Sequence, residues 1–157
     1  MYCAALLTGL PPPPNLPPYF LSVTNEHLNE SYTLLPRYLK RAANYTSHLV
    51  GKWHCGSNYL NTTPVGRGFD SALGYWSGAE DYETHSVTSN GDDVYDFVDN
   101  LTPYTQANNT FSTPIFAQRA IDIINTQSAL GPAAPPLFLY LAFQNVHWVS
   151  RIRAMTI

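Results

Sequence analysis

Apolar residues gather in two short runs along the chain, each of which stops abruptly at polar residues. The first run ends in Leu49 and Val50, and the second fills positions 136–143 without interruption. An unbroken apolar run of this length is typical of a parallel strand that is buried on both faces of a sheet. We therefore predict strands over 46–50 and 136–143.

Two further segments show the three- and four-residue spacing of an amphipathic helix. The first helix is predicted over about 33–43, with Thr33 as the capping residue and Pro36 in the first turn, where its missing N–H costs little. The second begins with Thr113 as the cap and Pro114 at the first helical position. The apolar positions of the first helix are Leu34, Leu35, Tyr38, Leu39 and Ala42, and those of the second are Ile115, Phe116, Ala120, Ile123 and Ile124.

The segments between these elements lack sustained periodicity. Residues 57–110 are rich in Gly, Asn, Asp, Thr, Ser and Tyr, which predicts a long loop with short turns. Residues 10–18 are mostly proline, which favours an extended polyproline arm. The order helix, strand, long loop, helix and strand implies parallel strands with right-handed crossovers. The predicted fold class is therefore α/β, with a mainly parallel sheet and flanking helices.

Titratable side chains follow both predicted strands. Lys52 and His54 come after the first strand within a glycine-bracketed hexapeptide, and His147 comes shortly after the second. Open α/β sheets assemble their sites at the carboxyl ends of strands, and a cation beside an imidazole can hold an oxyanion and move a proton. We therefore predict an active-site edge here. The alternative is that Trp53 is a packed aromatic residue and His54 a surface histidine.

Composition narrows the classes of partner. Only 12% of the residues are charged, the net charge is −3, and Lys and Arg form no long basic run, so nucleic acid is not an expected partner. No apolar stretch reaches the roughly 20 residues that a membrane helix needs. Met1 is not followed by the basic and then apolar pattern of a signal peptide. The chain itself therefore carries no expected membrane span or signal peptide.

Five Asn-X-Ser/Thr sequons indicate the secretory pathway. Their asparagines are Asn29, Asn44, Asn61, Asn100 and Asn108. The alternative is chance, because a chain rich in Asn, Ser and Thr produces such sequons by accident. We expect a glycoprotein that is lysosomal or secreted.

The two cysteines, Cys3 and Cys55, have neither the spacing of metal ligands nor the number of a disulfide scaffold. They can pair with each other or with residues outside this chain. Cys55 stands beside His54, but no second Cys or His lies at ligand spacing. A small buried thiol is therefore preferred over a metal ligand or a thiol nucleophile.

These landmarks together resemble the sulfatase family, most closely its arylsulfatase B-like branch. The resemblance covers most of the chain in family order, and the Gly-Lys-Trp-His element at 51–54 is a family signature. The matching pieces are residues 6–9, 34–40, 45–46, 48–56, 66–70, 74–75, 78, 80–82 and 136–147.

The resemblance implies an alkaline-phosphatase-like sulfatase fold, here incomplete, and hydrolysis of sulfate esters, including those of glycosaminoglycans. Enzymes of this family use a formylglycine made from cysteine and a divalent cation, usually calcium. Carried over by position, Lys52 would bind the sulfate oxygens and His54 would hydrogen-bond the hydrated formylglycine at the sulfate site. His147 would contact the sulfate and the leaving oxygen as general acid, so that His54 and His147 are the catalytic residues. The implied partner is a sulfated small molecule or glycan.

The chain departs from the family pattern where the nucleophile belongs. The family has a Cys-X-Pro-Ser-Arg motif just before the Leu-Leu-Thr-Gly stretch at 6–9, and alignment puts its Pro at Met1, its Arg at Cys3 and its cysteine upstream of Met1. The early paired Asp metal ligands and the later Asp, Asn and Lys are also absent. We therefore expect no metal ligands and no formylglycine precursor in this chain, and we expect the isolated 157 residues to be inactive.

The resemblance describes one partial sulfatase catalytic domain over 1–157. It starts at 1–9, is interrupted by a divergent proline-rich segment over 10–30, is strongest over 31–147 and ends before a divergent tail over 148–157. One alternative function is a non-catalytic secreted glycoprotein that binds sulfated glycans through Lys52, His54 and His147. The other is a phosphodiesterase of the same superfamily, which the small number of metal-binding Asp and His residues disfavours.

Overall fold

The computed structural model of the protein describes residues 2–9, 27–89 and 91–146. The predicted polyproline arm, His147, the divergent tail and the side chain of Cys3 lie outside the described part of the chain.

A five-stranded sheet forms the centre of the described structure. Its spatial order is β6 (Thr102–Pro103), β5 (Val98–Asp99), β2 (Ser71–Gly74), β1 (Thr46–Gly51) and β7 (Leu137–Ala142). β1 pairs in parallel with β2 and β7, whereas β5 and β6 are antiparallel additions at one edge. A separate antiparallel pair is formed by β3 (Ser86–Ser89) and β4 (Asp92–Tyr95). The predicted strands at 46–50 and 136–143 and their parallel direction are thus confirmed.

Successive residues of the central strands face opposite sides of the sheet, as the pleat requires. Leu49 belongs to one hydrophobic cluster and Val50 to the other. The buried members of the first cluster are Leu7, Leu28, Leu34, Leu49, Trp53, Cys55, Phe69 and Ala72. Those of the second are Val50, Leu73, Tyr75, Phe97, Ala107 and Phe116. Both faces of the sheet centre are therefore covered, which suits parallel strands.

Three α-helices flank this sheet in the described residues: α1 (Tyr2–Thr8), α2 (Leu35–Ala43) and α3 (Ser112–Ala129). Both predicted helices are confirmed, but their predicted caps are wrong. Leu34 and Phe111 are the N-cap residues, and neither side chain makes a capping hydrogen bond. α3 begins one residue before Thr113, whose hydroxyl donates instead to the Asn145 side chain.

Two predictions about burial are wrong for physical reasons. Ile124 of α3 is 49% exposed, because only Ser112, Phe116 and Ala120 of this helix are buried. β7 is half-buried rather than buried on both faces, and Leu141 is 38% exposed. Within the described part of the chain β7 pairs only with β1, so it lies at the edge of the sheet.

The prediction of a long loop over 57–110 is wrong in one important place. Ser71–Gly74 forms β2, a central strand of the sheet. Its two apolar residues, Ala72 and Leu73, are too short a run for a periodicity signal, so the strand depends on pairing with β1. The rest of the segment contains short 3-10 turns, the four-residue strands β3 and β4, and the two-residue strands β5 and β6. Among the described residues no helix is long and apolar enough to cross a membrane.

Candidate functional site

The segment 51–56 leaves β1 at the carboxyl edge of the sheet and continues its hydrogen bonding to both neighbours. The Lys52 N–H donates to the Ala142 carbonyl at the end of β7, at 2.9 Å. The N–H groups of Trp53 and His54 donate to the carbonyls of Tyr75 and Trp76, which follow β2, at 3.0 and 3.1 Å. The backbone that carries Lys52 and His54 is therefore fixed between two parallel strand ends.

Glycine allows these strand ends to approach closely. A Cβ atom on Gly51 would lie 2.0 Å from the Ala142 oxygen, and one on Gly74 would lie 2.0 Å from the Gly51 oxygen. Gly51 also has φ of 107°, in the left-handed region that glycine adopts without a steric penalty. The sequence thus specifies a tight edge where the candidate side chains begin.

Trp53 anchors the segment 51–56 in the core. Its side chain is fully buried, and its Nε1–H donates to the carbonyls of Gly56 and Thr62 at 2.7 and 3.1 Å. The packed-aromatic interpretation of Trp53 is therefore right. Lys52 and His54 are half-buried, and His54 has φ of 52°, a conformation that side chains with a Cβ rarely adopt. His54 is therefore not a loosely held surface histidine.

Lys52 and His54 converge on Gly78. The Lys52 Nζ donates to the Gly78 carbonyl at 2.5 Å. The face of Gly78 lies against the His54 ring, because a Cβ atom on this glycine would sit 2.8 Å from His54 Nε2. The Lys52 ammonium and the His54 imidazole thus both contact Gly78, and a cation and an imidazole are groups that can stabilise an oxyanion.

The backbone of the segment 75–80, which contains Gly78, is hydrogen-bonded to the buried carboxylate of Asp96. Asp96 is 7% exposed, and its carboxylate accepts hydrogen bonds from the N–H groups of Trp76 and Ser77 at 3.0 and 2.8 Å. The Ser77 hydroxyl donates to the Ala79 carbonyl at 2.9 Å, which closes the turn.

Gln144 connects this segment to the end of β7. Its Nε2 donates to the Glu80 carbonyl at 2.7 Å, and its Oε1 accepts from the Ser112 hydroxyl at 2.8 Å. The Tyr82 hydroxyl donates to the Gln144 carbonyl at 3.3 Å. The chain immediately after β7 is therefore bonded to the segment 75–80, which Lys52 and His54 also contact through Gly78. His147 follows Gln144 by three residues.

A buried acid and a buried histidine lie next to this turn. The Glu80 and His85 side chains are both fully buried, and Glu80 Oε1 lies 3.4 Å from His85 Nδ1. Burial raises the pKa of Glu80 to about 10, with further contributions from the charges of Asp96 and Asp81. Burial also lowers the pKa of His85. At neutral pH both side chains are therefore uncharged.

The tautomer of His85 explains this pair. His85 Nε2 lies 3.1 and 3.0 Å from the carbonyl oxygens of Ala107 and Thr110, so Nε2 carries the proton and donates it. Nδ1 is then an acceptor, and the protonated carboxyl of Glu80 is its donor. Glu80 Oε2 has no hydrogen-bond partner, which a neutral acid tolerates better than a carboxylate does.

Arg67, part of the 66–70 piece of the family resemblance, has a structural role. Its guanidinium is buried and donates to the carbonyls of Leu28, Asn29 and Tyr32 at 3.4, 3.2 and 2.9 Å. Burial lowers the pKa of this side chain. Arg67 thus fixes the segment 27–32 and does not extend towards Gly78.

Sequence patterns identified Lys52 and His54 but missed Asp96 and Gln144 as supports of the site. The available signals were Gly78, shortly after β2, and an aspartate flanked by Tyr95 and Phe97. Neither signal can be interpreted without knowing that residues 71–74 form a strand.

The described side chains do not form a metal site. Within residues 2–9, 27–89 and 91–146 no group of three or more His, Cys, Asp or Glu side chains could hold a metal ion. Cys55 is 2% exposed and belongs to the first hydrophobic cluster, which agrees with a small buried thiol. Calcium therefore does not fit the residues that surround Lys52 and His54.

A sequence model of the sulfatase family matches residues 2–152. The chain belongs to the sulfatase family. The known alkaline-phosphatase-like architecture of solved sulfatases also matches this fold: the crystal structure of Ps i-CgsB aligns with a TM-score of 0.75 at 22% identity, covering 96% of this chain and 35% of that one.

Curated relatives are similar over most of this sulfatase chain. It is 38% identical to arylsulfatase J of Mus musculus over 115 residues, which cover 72% of the chain and 18% of the relative. It is 30% identical to N-acetylgalactosamine-6-sulfatase of Mus musculus over 167 aligned positions, which cover 92% of the chain and 30% of the relative. The chain thus spans less than a third of the length of either relative.

Proposed function

We propose that this chain supplies the sulfate-binding edge of an arylsulfatase-type sulfuric ester hydrolase. The observation that carries the proposal is the convergence of the Lys52 ammonium and the His54 imidazole on Gly78, at the carboxyl edge of parallel strands. Open α/β sheets bind ligands at this edge. Membership of the sulfatase family gives the ligand its chemical class.

The chemistry assigns each side chain a role. A sulfuryl group in transfer carries negative charge on its peripheral oxygens, which Lys52 stabilises as a fixed cation. His54 would hydrogen-bond the sulfate and the hydrated formylglycine when that group is present. His147 protonates the leaving oxygen, since an alkoxide leaves more readily once it gains a proton. Gln144 supports this role, because its contacts hold the chain three residues before His147 against the segment 75–80.

Formylglycine and calcium belong to the family chemistry but not to the described residues. A hydrated formylglycine supplies the nucleophilic oxygen in such enzymes. Cys55 is followed by Gly-Ser-Asn-Tyr instead of X-Pro-Ser-Arg and therefore does not serve as its precursor. Because the described side chains form no metal site, no step here depends on calcium. We propose that residues 1–157 form part of one catalytic domain and are inactive alone.

The proposed substrate is a sulfate ester on a small molecule or glycan. The names of the two curated relatives, an arylsulfatase and an N-acetylgalactosamine-6-sulfatase, support sulfated sugars, including those of glycosaminoglycans. Nucleic acid is not a proposed partner, because the chain has a net charge of −3.

Ligand selectivity tests this function in the chain itself. We expect the chain to bind p-nitrophenyl sulfate more tightly than bis(p-nitrophenyl) phosphate, without turnover of either in calcium buffer. His54→Ala should abolish the preference, whereas the matched variant His48→Ala, which removes a histidine inside β1, should keep it. A preference for the phosphate diester would favour a phosphodiesterase and overturn the proposal.

The transcript distinguishes a hydrolase from a glycan-binding protein. We expect the reading frame upstream to encode Cys-X-Pro-Ser-Arg and the frame downstream to encode an Asp and Asn pair. If both are absent and sulfated glycans are bound without turnover, the protein is a non-catalytic binder and the hydrolase proposal is wrong.

We further propose a lysosomal or secreted glycoprotein. All five sequon asparagines, Asn29, Asn44, Asn61, Asn100 and Asn108, are exposed, which glycosylation requires. When the chain is directed into the secretory pathway of a cultured cell, peptide N-glycosidase F should increase its mobility. Asn108→Gln should remove one glycan, and Asn109→Gln, which keeps the Asn108-X-Thr110 sequon, should remove none. Identical mobility before and after the glycosidase would contradict the proposal.

A further inference from the structure

Asp96 is the buried acid that bonds directly to the segment carrying Gly78. Its two carboxylate oxygens accept the adjacent N–H groups of Trp76 and Ser77, and Ser77 precedes Gly78. Two adjacent N–H groups that donate to one carboxylate fix the backbone that bears them, because rotation of either peptide group would break its hydrogen bond. Asp96 therefore holds the backbone that leads into Gly78, and the Ser77 hydroxyl, which donates to the Ala79 carbonyl, spans Gly78 itself.

Gly78 transmits this orientation to the two candidate side chains. Its carbonyl accepts the hydrogen bond from Lys52 Nζ, and its Cα face supports the His54 ring. Neither contact is made by Asp96 itself. A change at Asp96 would thus reach Lys52 and His54 through the backbone of residues 76–78.

Asp96, Glu80 and His85 are three buried titratable residues that lie close together, and Asp96 is the charged one. Glu80 is neutral at pH 7, since its pKa is raised to about 10 by burial and then by the charge of Asp96. His85 is also neutral, and the Asp96 N–H donates to the His85 carbonyl at 2.7 Å. Burial raises the pKa of Asp96, and the hydrogen bonds from Ser77 and Trp76 oppose this rise. The Ser77 side chain and the N–H groups of Trp76 and Ser77 thus favour the carboxylate form of Asp96 in its buried position.

We propose that Asp96 is a positioning residue for the sulfate site, which acts by fixing residues 76–78 so that Gly78 holds Lys52 and His54 side by side. This inference rests on the sulfate-binding function proposed for Lys52 and His54. A purely structural Asp96 would change stability alone, whereas a positioning residue changes the site in a protein that remains folded.

Asp96→Asn is the direct test. The amide has the same shape but offers one acceptor oxygen, so it satisfies one of the two N–H groups and faces the other with a donor. The matched control is Asp99→Asn, which also removes a partly buried carboxylate, one that pairs with Arg119 on the far side of β2. Both variants are compared with the unmodified chain by NMR of the Lys52 ammonium and the His54 ring, with and without sodium sulfate.

In Asp96→Asn we expect shifted Lys52 and His54 resonances in the free protein and about tenfold weaker sulfate binding, the loss associated with one hydrogen bond to a charged group. Asp99→Asn should leave both unchanged. Unshifted resonances and wild-type sulfate affinity in a folded Asp96→Asn protein would overturn the inference.

Two further outcomes remain informative. If the unmodified chain binds no sulfate, the proposed function fails, and the positioning role is judged from the resonances of the free proteins. If Asp96→Asn does not fold, amide exchange in the unmodified chain gives the answer. Because coupling between two sites is reciprocal, saturating sulfate should slow exchange at the Trp76 and Ser77 amides. Unchanged exchange at both would overturn the inference.

Discussion

Two segments leave the same edge of the sheet, and they contribute to the site in different ways. The segment 51–56, after β1, carries the cation and the imidazole. The segment 75–80, after β2, contributes a backbone carbonyl and a glycine face, and its own support comes from Asp96 and Gln144. The segment 51–56 thus carries the candidate side chains, and the segment 75–80 contacts them through Gly78.

The difference between the segments lies in the range of the contacts that hold them. Trp53 fixes the first segment through the nearby carbonyls of Gly56 and Thr62. The second is fixed by residues 19 and 64 positions away in sequence, Asp96 and Gln144. Candidate site residues can thus be recognised from local sequence, whereas the geometry that surrounds them depends on distant contacts.

The largest expected effect concerns the buried acid behind the second segment. Above about pH 6.5 the unfolded chain has lost the protons of both Glu80 and His85, whereas the folded chain keeps one on Glu80 up to about pH 10. Stability should therefore fall as pH rises through this window, by about 1 kcal/mol per pH unit. Glu80→Gln, which preserves a donor to His85, should flatten the fall in urea unfolding measured from pH 6.5 to 9.5.

Below pH 6.5 the two shifts cancel. The unfolded chain then holds a proton on His85, the folded chain holds one on Glu80, and the difference in bound protons is zero until Glu80 titrates in the unfolded chain near pH 4.5. An alkaline loss of stability that is as steep in Glu80→Gln as in the unmodified chain would contradict a neutral Glu80.

The next effect tests the contact between the segments. Gly78→Ala would place a Cβ 2.8 Å from His54 Nε2, so the ring or the turn must move. Such overpacking should cost about 2 kcal/mol in urea unfolding and shift the His54 resonances. Gly131→Ala is the control, since a Cβ there meets nothing within 4 Å, although φ of 76° adds local strain. Equal His54 resonances in both variants would show that Gly78 is not a contact.

Trp53→Phe tests the support of the first segment. The change keeps an aromatic ring in the core but leaves the buried carbonyls of Gly56 and Thr62 without their donor. We expect a loss of between about 1 and 2 kcal/mol in urea unfolding. The Trp76 and Ser77 amides should keep their exchange rates, because Asp96 holds them independently. Faster exchange at those amides would show that the two segments are not supported separately.

The smallest effect concerns the edge of β2. The Asn100 Oδ1 accepts the Ala72 N–H at 3.0 Å, so Asn100→Gln should cost about 1 kcal/mol in a chain that lacks glycans. Asn108, another sequon asparagine, has an exposed side chain, and Asn108→Gln should be nearly neutral by the same measurement. Equal stability of the two variants would show that the hydrogen bond between Asn100 and the Ala72 N–H does not stabilise the fold.

Predictability from sequence follows the same division between local and distant contacts. β1, β7 and the two longer helices have runs of apolar residues or helical spacing within one window, so their existence was predicted correctly. β2 has only Ala72 and Leu73 at its centre, and its strand conformation comes from pairing with β1, which no local pattern encodes. The helix caps were wrong because Leu34 and Phe111 end the preceding segments without a side-chain hydrogen bond.

The site was predictable to the same extent. A lysine and a histidine between glycines after an apolar pair are a local signal, and they led to Lys52 and His54. Asp96 lies between Tyr95 and Phe97 with no motif around it, and its importance depends on where residues 76–78 pass in the fold. Glu80 and His85 likewise become a neutral pair only when burial removes both from water.

The central claim is that Lys52 binds sulfate at the carboxyl edge of the sheet. It is tested most directly by titrating sodium sulfate, at constant ionic strength, into the unmodified chain, Lys52→Met and the matched control Lys40→Met, whose lysine is exposed and pairs with Asp70 at 3.7 Å. We predict saturable binding that weakens about 30-fold in Lys52→Met, as expected for the loss of a charged donor, and is unchanged in Lys40→Met. Equal sulfate affinity of the unmodified chain and Lys52→Met would contradict the account.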